Sequence, residues 1–295
     1  MEFRIELENK LDSVETLPTL PTIIARLETA FADDASSAED VAGIVGEDPV
    51  LASQVLRVSN SAFFAGANGE IMSVREAIAR LGFAESRRIC TTLTMIESTR
   101  GFGTDMDHQR FWQHCLVAAV TTGVLSEFGD CNDTINPEEA YMAGLLHDIG
   151  VLVLDQFFPE EYCAVHNLRD DRGIPCDVAE RAVLGIDHGE IGGALLRHWN
   201  LPISIVEAVT WHHQPGAPDI KNLRLVQIVH LAEFVCTCLG IGDGGDGTTM
   251  GFSEIAWSDL GMSVDHIPKI IENVKAEVAR STILSSLGEA NAETR

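Results

Sequence analysis

The chain has 295 residues, enough for one large domain or two of modest size. Apolar residues make up 45% of it and aromatic residues only 6%, and no strand-like alternation is present, so we predict an all-α fold with an aliphatic core. The formal charge of -25 argues against direct binding to nucleic acid or to anionic membranes, because such a surface repels phosphate groups.

The N-terminal stretch MEFRIELENK is charged and lacks the apolar core of a signal peptide. No apolar run reaches the roughly 20 residues that a membrane-spanning helix needs. We therefore expect a cytoplasmic protein. The seven cysteines form no CxxC pair, so they are expected to be reduced thiols packed between helices.

Residues 17–100 have the pattern of a series of short helices. Either Ser36 or Ser37 is placed to cap one of them, with acidic residues following in its first turn. Ser73 is placed to cap a later helix, which Gly82 ends. These signals predict an N-terminal helical part, and we expect it to pack on the helices that follow.

Longer helices are predicted in a second part, residues 108–240. The glycine-rich residues 241–251 are interpreted as a loop, since they lack the GK[ST] ending of a phosphate-binding loop. Residues 252–284 are predicted to form a C-terminal helical extension whose last helix starts at Val264. Residues 285–295 are expected to be a disordered tail.

Two adjacent pairs of polar side chains, His147–Asp148 and His212–His213, interrupt the apolar second part. Neighbouring helical residues point about 100° apart, so both members of a pair serve one metal ion only where the helix ends; two ions, or an ion and an anion, could use both. Nitrogen with carboxylate ligation suits Zn²⁺, Fe, Mn²⁺ or Ni²⁺ rather than Ca²⁺. Such a centre would activate water for attack on a phosphoester. Any single buried histidine, by contrast, is more often a hydrogen-bonded core residue than a ligand.

Motifs in both parts resemble those of the HDOD domain. In the first part they are LPTLP, EDPVLASQVLRVSNSAFF and SVREAIARLG. In the second part they include AYMAGLLHDIGVLVLD, DHGEIGGALLRHWNLP, AVTWHHQP and VQIVHLAEFVC. The resemblance covers about Leu17 to Leu239. It implies a helical fold related to the HD phosphohydrolases and a regulatory or scaffolding role in bacterial signalling.

The same resemblance extends to the metal ligands of the related HD-GYP phosphodiesterases. It implies a ligand set of seven residues: His114, His147, Asp148, His188, His212, His213 and Glu233. Glu233 stands where those enzymes have an aspartate, and a glutamate can bind the same ions. One or two divalent transition-metal ions, Fe, Mn, Zn or Ni, are therefore expected.

Two departures from the active relatives weaken the case for catalysis. Val151 follows HDIG where those enzymes have a lysine, so a cation that would bind phosphate is missing. No GYP motif follows HHQP, so the residues associated with recognition of cyclic dinucleotides are missing too.

Three functions stay open at this point. The first is a signalling module that acts through protein–protein interaction with other signalling proteins and retains a metal site. The second is a metal-dependent phosphohydrolase of the HD type acting on a nucleotide or cyclic dinucleotide. The third is a metal or redox sensor, for which Cys115 beside His114 is the thiol in position to take part. The pattern does not determine the oligomeric state.

Overall fold

The computed structural model describes residues 2–12, 22–33, 35–61, 64, 71–99, 106–128, 135–240 and 251–281. All regular structure within these ranges is helical, so the predicted all-α class is confirmed. The helices in chain order are α1 (Glu2–Asp12), α2 (Thr22–Ala32), α3 (Ala38–Gly46), α4 (Pro49–Ser59), α5 (Val74–Leu81), α6 (Phe83–Ser98), α7 (His108–Ser126), α8 (Pro137–Leu146), α9 (Ile149–Phe157), α10 (Pro159–Arg172), α11 (Cys176–Leu184), α12 (His188–His198), α13 (Ile203–Trp211), α14 (Leu223–Leu239), α15 (Glu254–Asp259), a 3-10 turn (Val264–His266) and α16 (Ile267–Arg280).

The chain forms two compact units. One unit contains residues 18–100 and 279–295, and the other contains residues 1–17 and 101–278. The predicted domain limits and the packing of one part on the other stay predictions. Most of the predicted loop, residues 241–250, and the predicted tail lie outside the described residues.

The unit of residues 18–100 is built from α2 to α6, whose ends follow the capping signals of the sequence. Ser37, not Ser36, caps α3: its hydroxyl accepts from the backbone nitrogen of Asp40, whose carboxylate accepts from the backbone nitrogen of Ser37. Ser73 caps α5 as predicted, and Gly82 ends that helix with a φ of 79°.

In the other unit, the packing of α7, α8, α9, α12, α13 and α14 brings several helix ends together. Helix α7 packs on α8 and α14, and α13 packs on α8, α12 and α14. Helix α12 packs on α9 as well. The ends of α8 and α13 and the starts of α9 and α12 thus lie near the same point, and this point holds the polar pairs of the sequence.

The C-terminal extension is part of this unit's core. Residues of the extension pack with residues of α7 and α14 in one buried apolar cluster. Its members are Val124, Leu125, Ile228, Leu231, Ala232, Ala256, Leu260, Met262, Ile270 and Val274. The last helix begins at Ile267 rather than Val264, because residues 264–266 form the 3-10 turn. It is described to Arg280, and residues 282–284 of the prediction lie outside the described residues.

Helix α1, which was not predicted from the sequence, belongs to the same unit. Arg4 forms an ion pair of 2.7 Å with Glu190 on α12, and Nζ of Lys10 donates to the carbonyl oxygen of Phe157. Among the described residues, no single helix has both the length and the apolar character of a membrane span. The segments Pro137–Phe157 and Pro159–Arg172 have that length and apolar character only when they are taken together, and the chain bends by 116° between them.

Candidate metal centre

The predicted ligands lie on α7, at the α8–α9 junction, at the start of α12, just after α13 and on α14. Six of the seven form two groups, within each of which the ligand atoms lie within 4.8 Å of one another. We call His114, His147 and Asp148 the HD group. The histidine group consists of the other three: His188, His212 and His213.

Two glycines let the helices that carry these residues approach closely. A Cβ on Gly150 would overlap the carbonyl oxygen of His188 and lie 2.7 Å from the backbone nitrogen of Gly192. A Cβ on Gly144 would lie 2.8 Å from Cα of Ala119. Any larger residue would push α9 from α12, or α8 from α7, so glycine is required for the ligands to meet.

In the HD group, two ring nitrogens point at one carboxylate oxygen. Oδ2 of Asp148 lies 3.3 Å from Nε2 of His114 and 3.2 Å from Nε2 of His147. Nδ1 of His147 lies 2.8 Å from the carbonyl oxygen of Gly144. Because a carbonyl only accepts, Nδ1 carries a proton, and in the neutral ring Nε2 is the nitrogen left to bind a metal ion.

The histidine group meets the other oxygen of the same carboxylate. Oδ1 of Asp148 lies 3.3 Å from Nε2 of His188 and 3.8 Å from Nε2 of His212. The Nε2 atoms of His188 and His213 are 2.8 Å apart. Nδ1 of His212 donates to the carbonyl oxygen of Val209 at 2.7 Å, so its Nε2 also presents a lone pair. Asp148 therefore lies between the two groups and turns one oxygen to each.

Two buried atoms at this centre lack a hydrogen-bond partner among the described residues: Oδ1 of Asp148 and Nε2 of His212. Leaving such atoms unpaired costs about 1–3 kcal/mol each. Burial, and then the charges of neighbouring histidines, holds the pKa of His212 well below its usual value, so the ring is neutral. Burial opposes ionisation of Asp148, but the histidines around it outweigh this and hold the pKa of that carboxyl well below its usual value. A nitrogen lone pair and a carboxylate that face each other repel unless a cation lies between them, so these residues fit a metal ion.

Three other residues named from the sequence belong to neither ligand group. Oε2 of Glu233 is 3.9 Å from Nε2 of His212, so Glu233 borders the histidine group without belonging to it. Val151 is 8% exposed and contributes to the apolar core. Burial raises the pKa of Cys115 well above its usual value, which keeps it a thiol and argues against the redox role considered for it.

Sequence reasoning missed Glu180, which is fully buried on α11. Its Oε2 accepts from both the backbone nitrogen and Nδ1 of His188, each at 2.8 Å. Burial opposes the charged form of His188, but Glu180 and Asp148 more than offset this and hold the pKa of His188 well above its usual value. A signal existed: Glu180 occupies the apolar stripe of α11 between Cys176 and Leu184, where a lone carboxylate needs a partner.

Comparison with known proteins identifies the family. The model of the HDOD domain matches residues 17–215, two thirds of the chain and all of the ligand positions up to His213. The chain belongs to the HDOD family. A curated relative of this HDOD protein is an uncharacterized protein of Treponema pallidum (strain Nichols), 27% identical over 211 residues. The match covers 70% of the present chain but only 40% of that relative.

Solved structures share the fold over nearly the whole HDOD protein. An HDOD domain protein of unknown function from Geobacter sulfurreducens is 26% identical, with a TM-score of 0.80 over 97% of this chain and 98% of its own. A provisionally named signal transduction protein from Marinobacter aquaeolei VT8 is 23% identical, with a TM-score of 0.78 over 97% of this chain and 66% of its own. A provisionally named phosphohydrolase from Shewanella amazonensis SB2B is 22% identical, with a TM-score of 0.66 over 96% of this chain and 93% of its own.

Proposed function

We propose that this HDOD protein is a cytoplasmic regulatory module that holds one or two divalent transition-metal ions and acts through protein partners in signalling. The main support for the metal site is that two buried atoms, Oδ1 of Asp148 and Nε2 of His212, have no hydrogen-bond partner among the described residues. These two atoms are 3.8 Å apart. The Nε2 atoms of His114, His147 and His188 also lie within 3.3 Å of the Asp148 carboxylate. The HD group would hold one ion and the histidine group the other, with Asp148 shared between them. Fe, Mn, Zn and Ni all accept this nitrogen and oxygen ligand set.

The closed surroundings of the site favour regulation over turnover. All three residues of the HD group are buried, and in the histidine group His188 and His212 are buried as well. Catalytic metal sites keep a ligand position open to water or substrate, whereas structural sites are closed. The apolar Val151 adds no positive charge for a phosphate. The surface charge of the chain, -25 overall, favours partners with basic surfaces.

A metal-dependent phosphohydrolase is the second candidate, and one observation favours it. Asp148 turns one carboxylate oxygen to each ligand group, the arrangement expected of a bridging ligand in a two-metal hydrolytic site. A metal held there would supply Lewis acidity and an activated water. The residues of the chain would contribute ligation, and the hydrogen bonds of His147, His188 and His212 to Gly144, Glu180 and Val209 would fix the ligand nitrogens.

Metal content measured together with hydrolysis distinguishes these functions. Protein purified without a histidine tag is expected to contain about one or two transition-metal ions per chain and to leave a panel of phosphoesters, including cyclic dinucleotides, intact. His147→Ala is expected to lose the metal, whereas His198→Ala, a change of an exposed histidine at the end of α12, keeps it. Substoichiometric metal in the unmodified protein would overturn the metal centre. Turnover that disappears in His147→Ala would establish the phosphohydrolase instead.

A further inference from the structure

Glu180 holds His188 from the side opposite its metal-facing nitrogen. One carboxylate oxygen accepts from the backbone nitrogen and from Nδ1 of His188, which fixes both the start of α12 and the rotation of the ring. The other oxygen accepts from the thiol of Cys176 at 3.6 Å. A fully buried carboxylate with this set of partners has no freedom to turn away from His188.

The two ligand groups differ in where their negative charge comes from. The HD group contains a carboxylate, Asp148, whereas the histidine group consists of three imidazoles. Imidazoles carry no negative charge, so a cation among them depends on nearby carboxylates. These are Oδ1 of Asp148, which the HD group shares, Glu233 at the edge of the group, and Glu180. Glu180 is hydrogen-bonded directly to one of these rings, and a carboxylate on the far side of a ligand histidine makes its metal-binding nitrogen more basic.

Arg181, the residue after Glu180, pairs with other carboxylates and so does not neutralise the charge of Glu180. Arg181 pairs with Asp187, the residue that caps α12, and with Glu190 at 3.1 Å. The guanidinium is thus directed to two other carboxylates. The two consecutive residues of α11 therefore contact α12 in different ways. Arg181 pairs with carboxylates in and before the first turn of α12, whereas Glu180 orients the ring of His188, the first residue of α12.

We propose that Glu180 is a positioning residue that makes the histidine group a cation site, by orienting His188 and by adding its negative charge to that of the Asp148 oxygen that the group shares. This inference rests on the metal centre of the proposed function. The HD group should depend less on Glu180 than the histidine group does, because Glu180 contacts His188 and the carbonyl oxygen of Gly144 holds His147 in the HD group.

Titration of the metal-stripped full chain with Mn²⁺, followed by calorimetry, tests the proposal. The unmodified protein is expected to bind two ions. Glu180→Gln is expected to bind one ion with unchanged affinity and the second about 10- to 100-fold more weakly. Glu207→Gln is the matched control: this carboxylate also accepts a backbone N–H and a side-chain N–H, but from Asn222 rather than from a member of either ligand group. It is expected to bind two ions like the unmodified protein.

Each other outcome counts against the proposal. Two ions bound equally well by Glu180→Gln would overturn it and leave the proposed metal centre standing. Loss of both ions together would show that Glu180 serves the fold as a whole. An unmodified protein that binds one ion has no cation at the histidine group, which also overturns the proposal, and one that binds none overturns the proposed function with it.

A second variant keeps the test decisive if Glu180→Gln does not fold, as judged by far-UV circular dichroism. Glu180→Asp retains the charge but is one methylene shorter, so it cannot make both 2.8 Å contacts to His188. The same selective weakening of the second ion is expected, together with altered d–d absorption bands of Co²⁺ at that site. Unchanged binding and unchanged bands in Glu180→Asp would overturn the proposal.

Discussion

Replacing Gly150 by alanine should separate the two helices that carry Asp148 and His188. The added Cβ would lie 2.7 Å from the backbone nitrogen of Gly192, about 0.7 Å short of the 3.4 Å at which ordinary contact begins, and it would overlap the carbonyl oxygen of His188. Both obstacles are backbone atoms, so relief requires α9 to move from α12. Overpacking of this kind costs roughly 1–3 kcal/mol, and since the atoms are rigid we expect the upper end. The gain in helix propensity returns about 0.5–1 kcal/mol, leaving a net loss of about 2 kcal/mol.

The displacement should also impair the metal centre, because metal–ligand distances tolerate only about 0.2 Å. Urea unfolding in a chelator measures stability without metal, and Mn²⁺ titration measures the site. Gly123→Ala is the control: Gly123 lies within α7, and a Cβ there meets nothing within 4 Å, so this variant should be about 0.5–1 kcal/mol more stable with normal metal binding. If Gly150→Ala is as stable as Gly123→Ala and binds metal normally, the close approach of α9 and α12 is not what the site requires.

Three further predictions concern the two units and the C-terminal core. Removing metal by chelation should reduce hydrogen-exchange protection in the unit of residues 101–278, while the protection of residues 18–100 stays unchanged. If the free metal concentration was 100 times Kd before chelation, the loss should be about 2.7 kcal/mol for each metal site. Arg87→Met should destabilise only the unit of residues 18–100, by roughly 1–2 kcal/mol, since it removes the part-buried hydrogen bonds to Glu28; lost metal would contradict this. Ile270→Ala, at a side chain 2% exposed, should cost about 2–5 kcal/mol in urea unfolding, whereas Ile255→Ala, at one 73% exposed, should stay within about 0.5 kcal/mol; similar values would mean that the C-terminal helices do not share the core.

Much of the fold and most of the site could be predicted from local patterns. Helix caps depend on residues three positions apart, and so Ser37 and Ser73 were recognisable from the sequence. The ligand residues were recognisable because a histidine beside a carboxylate in an apolar run is unusual, and because the whole set resembles one family. Glu180 was missed because it is eight residues from His188 on a different helix, and only the packing of α11 against the start of α12 makes them partners.

The sequence by itself determined the helical class and the family and singled out the candidate ligands, since these depend on residue types and on spacing within single helices. Only the tertiary structure decided how these candidate ligands are arranged: that six of them form two groups, that Asp148 faces both, and that Glu233 borders one of them. It also showed that the C-terminal extension completes the core of the same unit. The physical reason is that helices pack through contacts between residues far apart in the chain. Positions such as Gly144 and Gly150 set the distance of that approach, and a pattern within one helix does not specify which other helix it will meet.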